Sequence, residues 1–457
     1  MSTTTPQSSD ESTGRRALPT DRLGSSYFKL FSASTISNLG DGIATIAYPW
    51  LASALTRNPL LIALVAVVQR LPWLLFSLPA GVITDRTDRR RLMVGANIAR
   101  TILTVFVALV VLNRSGSLPS VDVVANADAI FATNLGLYLL VLVATLFIGT
   151  AEVLYDNAAQ TFMPSIVHSK QLEKANGRMW SVEMVANTFA GPPLGALLLA
   201  VAFSFPFFVD AATFGISAAL VALIPSTTRS TATPAPDRQP WRAELSEGFS
   251  WLWNHELLRP MAIILGLLNG LFMLNMSILV LYSQEVLDTS ATEFALLTTG
   301  GAIGGVIGGW TASRISKRIG AGPSLWLTLL GGAATTTVTG LTSWWMLAWL
   351  MFAIMSMLGV LWNVITVSLR QTIIPDHLLG RVNSVYRFFA WGMMPIGSIL
   401  GGLIVVVSET FASREMALRL PWLIGAGLQI MLLVFAAPKL TTERIESARA
   451  AATSDDG

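Results

Sequence analysis

The chain has 457 residues, of which 53% are hydrophobic and only 12% charged; a soluble domain carries about 25% charged residues, so the bilayer must be the solvent for most of it. Its net charge of +3 does not indicate nucleic-acid binding, because the bases sit in short loops beside apolar runs and form no single basic face. The absence of cysteine excludes disulfides and thiolate metal or redox sites.

Residues 1–26 are rich in Ser and Thr and lack a compact apolar core, so they read as a polar tail and not as a cleaved signal. A bilayer span needs roughly 20 apolar residues. On that rule the sequence predicts helices at 28–54, 59–84, 91–113, 135–160, 174–201 and 204–224, then at 259–284, 292–313, 323–341, 343–370, 380–408 and 417–438. The resulting layout is a tail (1–26), six helices (27–225), a linker (226–258), six helices (259–438) and a second tail (439–457). The linker opens with a Pro/Ser/Thr/Ala stretch that reads as flexible. It closes on Trp241 to Leu258, where Leu245, Phe249, Leu252 and Trp253 recur at helical spacing beside Arg242, Glu244 and Glu247. That pattern predicts an amphipathic helix, either on the membrane surface or in water. With the N-terminus in the cytoplasm, 22 of the 30 Lys and Arg fall on the cytoplasmic side and four outside, a strong positive-inside bias. Both termini are expected inside.

The chain repeats itself. The hairpin from Gly81 to Arg90, with Asp85, Arg86, Arg89 and Arg90 wedged between two apolar runs, returns as Gly309 to Arg318, with Ser313 in place of Asp85. Gln160-Thr161-Phe162-Met163-Pro164 is echoed by Gln371-Thr372-Ile373-Ile374-Pro375. The proline-glycine segment Gly191-Pro192-Pro193-Leu194-Gly195 is matched in position by Gly397-Ser398-Ile399-Leu400-Gly401. Three matches in register predict an all-α membrane protein of twelve transmembrane helices in two pseudo-symmetric six-helix bundles.

Charges at bilayer depth cost about 2.5–3.5 kcal/mol on insertion scales and therefore mark functional candidates. They cluster in the first half. Asp41 and Arg70 come to similar depths in the first two spans, within about 5 Å at 1.5 Å per residue. Two readings follow: a proton-coupling pair, or a static ion pair that fixes packing. Glu152 and Asp156, four apart, share a face of the fourth span, where they either share a proton or bond to neighbouring helices such as that of Arg100. Glu183 and Asn187 share a face of the fifth, and Asp210 reads as structural. Gly191, Pro192 and Pro193 remove backbone donors and should loosen the fifth span, while Gly195 permits close helix contact. Glycines 300, 301, 304, 305, 308 and 309 thin the eighth span. For a substrate cavity the within-span aromatic and methionine side chains are the candidates: Tyr48, Trp73, Phe272, Met276, Trp362 and Trp391, with Glu183 and Asn187. The three histidines, His168, His255 and His377, fall in predicted loops, and there is no Gly-x4-Gly-Lys-Ser/Thr loop, so neither an enzyme nor direct ATP drive is expected.

The hairpin at Gly81–Arg90 resembles the loop signature of the major facilitator superfamily, with Asp88 where a glycine is usual. Tyr27 to Pro438 resembles its drug:proton antiporter branch of macrolide-efflux, Tap-like and enterobactin-export proteins. The similarity is carried by Ser37-Asn38-Leu39-Gly40-Asp41-Gly42, Ala151-Glu152-Val153-Leu154-Tyr155-Asp156, Ala175-Asn176-Gly177-Arg178 and Gly191–Gly195. This resemblance implies two bundles rocking about a central cavity in a bacterial plasma membrane, with Asp85 latched to the start of the eleventh span. It also implies exchange of protons for small amphipathic molecules by a monomer without cofactor or metal. Asn187 and Ala196 replace glycines of the antiporter signature, and the basic residue usual in the fourth span is missing; Arg70 or Arg100 would substitute. An exporter of one endogenous metabolite, such as a siderophore or lysophospholipid, and a transport-silent sensor or assembly partner remain alternatives.

Overall fold

The computed structural model describes residues 23–126, 132–168, 171–225 and 241–455. The tail before residue 23 and the expected flexible linker 226–240 lie outside the described residues. Helices account for each predicted span: α1 (Ser25–Leu55), α2 (Pro59–Arg86), α3 (Arg89–Asn113), α5 (Leu135–Ile166) after a short α4 (Val121–Ala125), and α6 (Leu172–Glu183) continuing through a π-helical turn (Met184–Ala190) into α7 (Gly191–Val201). The first half ends with α8 (Phe205–Ala222). After α9 (Trp241–Asn254), the second half comprises α10 (Leu258–Met276) and α11 (Leu279–Glu285), α12 (Ala291–Ile319), α13 (Ala321–Leu341), α14 (Trp345–Ile373), α15 (Asp376–Ser408) and α16 (Arg414–Ala436), followed by α17 (Thr442–Asp455).

Ten of these segments are long and apolar enough to cross a bilayer. The other two span positions, α1 and α13, carry more polar side chains. In α13 part of that polarity is satisfied within the helix, since Thr335, Thr337 and Thr339 each donate to the carbonyl four residues back. The protein is a multi-pass membrane protein of two six-helix bundles.

Side-chain absence sets the closest approaches. Gly42 of α1 meets Gly191 of α7 backbone to backbone, and a Cβ on Gly42 would lie 2.5 Å from the Asn187 carbonyl oxygen. Gly195 faces Ile43, whose carbonyl oxygen would be 2.7 Å from an added Cβ. The π-helical turn ends where Pro192 and Pro193 begin: neither supplies an N–H to the preceding turn, so the helix widens there. In the second half Gly300, Gly304 and Gly308 let α12 lie against Trp349, Ala353 and Met357 of α14, while Gly301 and Gly309 face open space.

The apolar core is divided unevenly. One cluster holds only first-half residues, from Leu23 and Tyr27 to Ile224, and a second only second-half residues, from Leu252 to Ile445. Both lie toward the end of the bundles where the chain enters and leaves. A third cluster, at the opposite end, mixes the halves: Trp50, Leu51 and Phe207 pack with Ile278, Tyr282, Phe294 and Trp422. Trp50 meets Phe294 at 6.3 Å between ring centroids. Halfway along, Trp73 of α2 contacts Trp391 of α15 edge-on at 5.7 Å. The halves are thus sealed together at the end remote from the termini, and each keeps its own core at the other.

The linker helix α9 docks on the second half. Glu247 pairs with Arg381, Leu252 is buried, and Phe249 and Trp253 stack on each other and on Phe389. The side chain of Leu245 lies outside the described residues. The helix expected either on the membrane surface or in water is held against the start of α15.

Candidate functional site

Arg100, on α3, is the hub of the first half. It is 1% exposed, yet its guanidinium pairs with Asp41 of α1 and lies 4.0 Å from Glu152 of α5. It donates to Ser37 Oγ at 3.5 Å and sits over the Phe214 ring of α8, 3.7 Å from its centroid. Four helices therefore converge on one cation. The side chains of Asp41 and Glu152 remain 25% and 36% exposed, while the guanidinium that they face is buried. An arginine suits this position because its planar fork engages two carboxylates and an aromatic face at once and stays charged.

The expected Asp41–Arg70 pair does not form; Asp41 is taken by Arg100, and Arg70 is exposed. Equal depth was the wrong criterion. In this bundle α1 packs mainly against α7 and α8, whereas α2 packs on α5 and across to α15, so consecutive spans are not the neighbours that matter. Asp156 is half-buried one turn below Glu152, and Glu183 is exposed just before the widened turn that carries Asn187. Asp210 is buried beside Gly40 with Oδ1 unpartnered.

Of the hairpin residues, Arg89 donates to the Thr161 carbonyl at 2.9 Å, and Arg90 donates to the carbonyls of Val221 and Ala222. Both bases thus lie near the C-terminal ends of neighbouring helices, where the helix dipole favours a cation. Asp88 caps α3 by accepting from the Arg91 N–H at 2.8 Å. The side chains of Gly81, Asp85 and Arg86, and those of Asp376 and His377 at the start of α15, lie outside the described residues.

Of the aromatic candidates, Tyr48 is buried in the first half with its ring edge-on to Phe207 at 5.1 Å. Phe272, Met276 and Trp362 line one cavity of about 440 Å³ within the second half, bounded by α10, α12, α13, α14 and α16. Trp73 and Trp391 meet each other between the halves.

A second charged cluster, not anticipated from the sequence, closes the end remote from the termini. Glu285, at the end of α11, accepts from Arg414 at 2.7 Å and lies 3.5 Å from Arg57 of the first half. Arg57 also donates to Gln284 Oε1 at 2.7 Å, Gln284 donates to Ser53 Oγ at 3.1 Å, and Arg414 donates to the Arg57 carbonyl at 2.9 Å. Partners separated by up to 357 positions leave no local pattern to read; the one available hint was Glu285, an acid at the tip of an apolar span.

Two bundles, a carboxylate–arginine cluster inside one, a cavity inside the other and a seal at one end describe a transport fold. The sequence matches the family description Major Facilitator Superfamily over residues 30–398. The chain belongs to the major facilitator superfamily. Among curated superfamily members, it is 25% identical to the multidrug efflux pump Tap of Mycolicibacterium fortuitum, over 86% of this chain and 92% of that one. It is also 25% identical to the enterobactin exporter EntS of Shigella boydii serotype 4 (strain Sb227), over 82% and 84%. Among solved structures it superposes on the nucleoside transporter NupG with a TM-score of 0.70 at 12% identity, covering 91% of this chain and all of that one. It superposes on a bacterial homologue of the human lysosomal transporter Spinster, inward-facing and occupied, with a TM-score of 0.68 at 13% identity, over 92% and 97%. These two likenesses concern the fold. This superfamily member is a membrane transporter.

Proposed function

We propose that the chain is a proton-coupled exporter of small amphipathic, drug-like molecules that works by alternating access as a monomer in a bacterial plasma membrane, both termini cytoplasmic. The observation that carries this reading is a buried cation held between two partly exposed carboxylates, Arg100 with Asp41 and Glu152. A proton arriving on Asp41 cancels its charge and weakens its hold on Arg100. The guanidinium then shifts its charge toward Glu152, 4.0 Å away, so protonation at one helix is felt at another. Since Asp41 lies next to Gly42, on the backbone-to-backbone contact between α1 and α7, the change acts where the two helices can slide. The base distribution supports the sealed end as the outer one, which makes this the inward-facing state of the cycle, in which an exporter loads cargo.

The match to a pump named for multidrug efflux supports a broad cargo range. The match to an enterobactin exporter supports a narrower one, an endogenous metabolite. In inverted vesicles, Asp41→Asn should abolish ethidium accumulation driven by a pH gradient and leave ethidium counterflow intact. Normal gradient-driven accumulation in Asp41→Asn refutes the coupling role. Export confined to one metabolite, with no movement of structurally unrelated drugs, selects the narrower reading.

A further inference from the structure

The second-half cavity has a chemical character opposite to that of the first half. None of the residues lining it is ionisable. Its apolar lining includes Phe272, Met276 and Trp362, and Met276 also packs against the cluster that joins the halves, so the cavity sits directly beneath the seal.

At its back are four buried polar atoms with no hydrogen-bond partner: Asn275 Oδ1 on α10, Thr336 Oγ1 on α13, Trp362 Nε1 on α14 and Gln429 Oε1 on α16. Buried polar groups are normally satisfied, and four from four different helices at one cavity is unusual. Their positions are specified by neighbours without side chains. Gly425 of α16 faces Asn275, and Gly332 of α13 faces Gln429, each leaving room for an amide. Gly332 lies one turn from Thr336, and Gly425 one turn from Gln429, so each helix presents a glycine and a polar group on one face. The helix that carries Asn275 is itself interrupted at Ser277 and Ile278, between α10 and α11. The torsion that turns a terminal amide is broad, so Asn275 and Gln429 reach the void by a side-chain rotation alone.

We propose that this cavity is a subsite for the uncharged, hydrogen-bonding end of the cargo, an aromatic or alicyclic group bearing hydroxyl or amide N–H donors. Two amide oxygens require donors and the indole N–H an acceptor; the threonine hydroxyl takes either role. A permanent cation gains nothing here, because no carboxylate lines the wall. At about 440 Å³ the cavity accommodates a fused-ring group. The inference rests on reading the space between the halves as the transport path, and it divides the labour: protons are handled in the first half, cargo identity in the second.

The test is equilibrium binding to the full-length protein in lipid nanodiscs without a pH gradient, using three fluorescent probes built on one naphthalene ring system. These are 2,7-dihydroxynaphthalene, naphthalene and a naphthyl-trimethylammonium ion. The dihydroxy compound should bind about a hundredfold more tightly than naphthalene, the equivalent of two net hydrogen bonds. Asn275→Leu and Gln429→Met, both close in shape, should each remove about tenfold of that preference and leave naphthalene binding unchanged, which also reports that the variants are folded. Tightest binding by the cation, or equal losses for all three probes, overturns the proposal. So does wild-type preference that survives both substitutions. Because no gradient is applied, a failure here leaves the Asp41 experiment standing, and the reverse also holds.

Discussion

The network around Glu285 sets a quantitative expectation for the equilibrium between the two access states of the proposed cycle. Glu285 is 7% exposed and lies between Arg57 of one half and Arg414 of the other. The Arg414–Glu285 pair is internal to the second half and survives opening; the contacts of Arg57 with Glu285, Gln284 and Arg414 cross between halves and do not. In Glu285→Gln two cations remain close without the carboxylate that separates them. Hydrogen bonds to charged groups contribute about 1.5–3 kcal/mol, and removal of one partner of a fully buried pair costs about 3–5 kcal/mol. Both arginines retain solvent contact, so about 2 kcal/mol is a fair value for the cross-half share. That corresponds to roughly a 30-fold rise in the fraction of molecules open at this end. The assay exploits a chain with no native cysteine. A single Ala54→Cys, placed in the shared cluster, is buried while the seal is intact. Its alkylation by a membrane-impermeant maleimide in whole cells should quicken about 30-fold when Glu285→Gln is added, if openings are in rapid equilibrium. A rate within about twofold of the parent would show that the network does not hold the halves together.

The glycine face of α12 offers a paired comparison: Gly304→Ala drives a Cβ into the Ala353 carbonyl and should lower the thermal midpoint sharply, whereas Gly301→Ala meets open space and should be neutral or slightly stabilising. Equal midpoints would remove close α12–α14 packing as a source of stability. At the junction of α9 and α10, His255 Nδ1 accepts from the Leu257 and Leu258 N–H groups at 3.2 Å, which requires a neutral ring. Burial pushes its pKa below the ordinary 6.5, against a smaller opposing pull from Glu256. The folded protein thus prefers the uncharged form. Its stabilising effect is complete above pH 6.5 and is lost as pH falls through the lower, folded-state value. Thermal melts between pH 7.5 and 5 should therefore decline less steeply in His255→Ala than in the parent; identical slopes would exclude this contribution.

How far the sequence could be read depended on the range of the interaction. Spans declared themselves because bilayer thickness imposes a length on every apolar run, and each of the twelve predicted spans is met by helix, while the short α4 was not predicted. The loosened fifth span followed from Pro192 and Pro193, whose missing N–H groups are a local fact. Asp41 was recognisable as a candidate by its cost, but its partner was not, because Arg100 lies 59 positions away and only helix packing selects it over Arg70. The seal depended on the same kind of knowledge. Asn275, Thr336 and Gln429 escaped notice for a different reason: neutral polar residues inside spans usually bond within their own bundle, and only the cavity distinguishes these. A glycine one turn before Thr336 and before Gln429 was the available trace.

The meeting of Gly42 with Gly191 has a mechanical consequence. Two helices that touch through bare main chain have no teeth to disengage, so one can travel along the other without climbing over side chains. In the proposed cycle this contact serves as a plain bearing, one residue from the acid that the proton reaches.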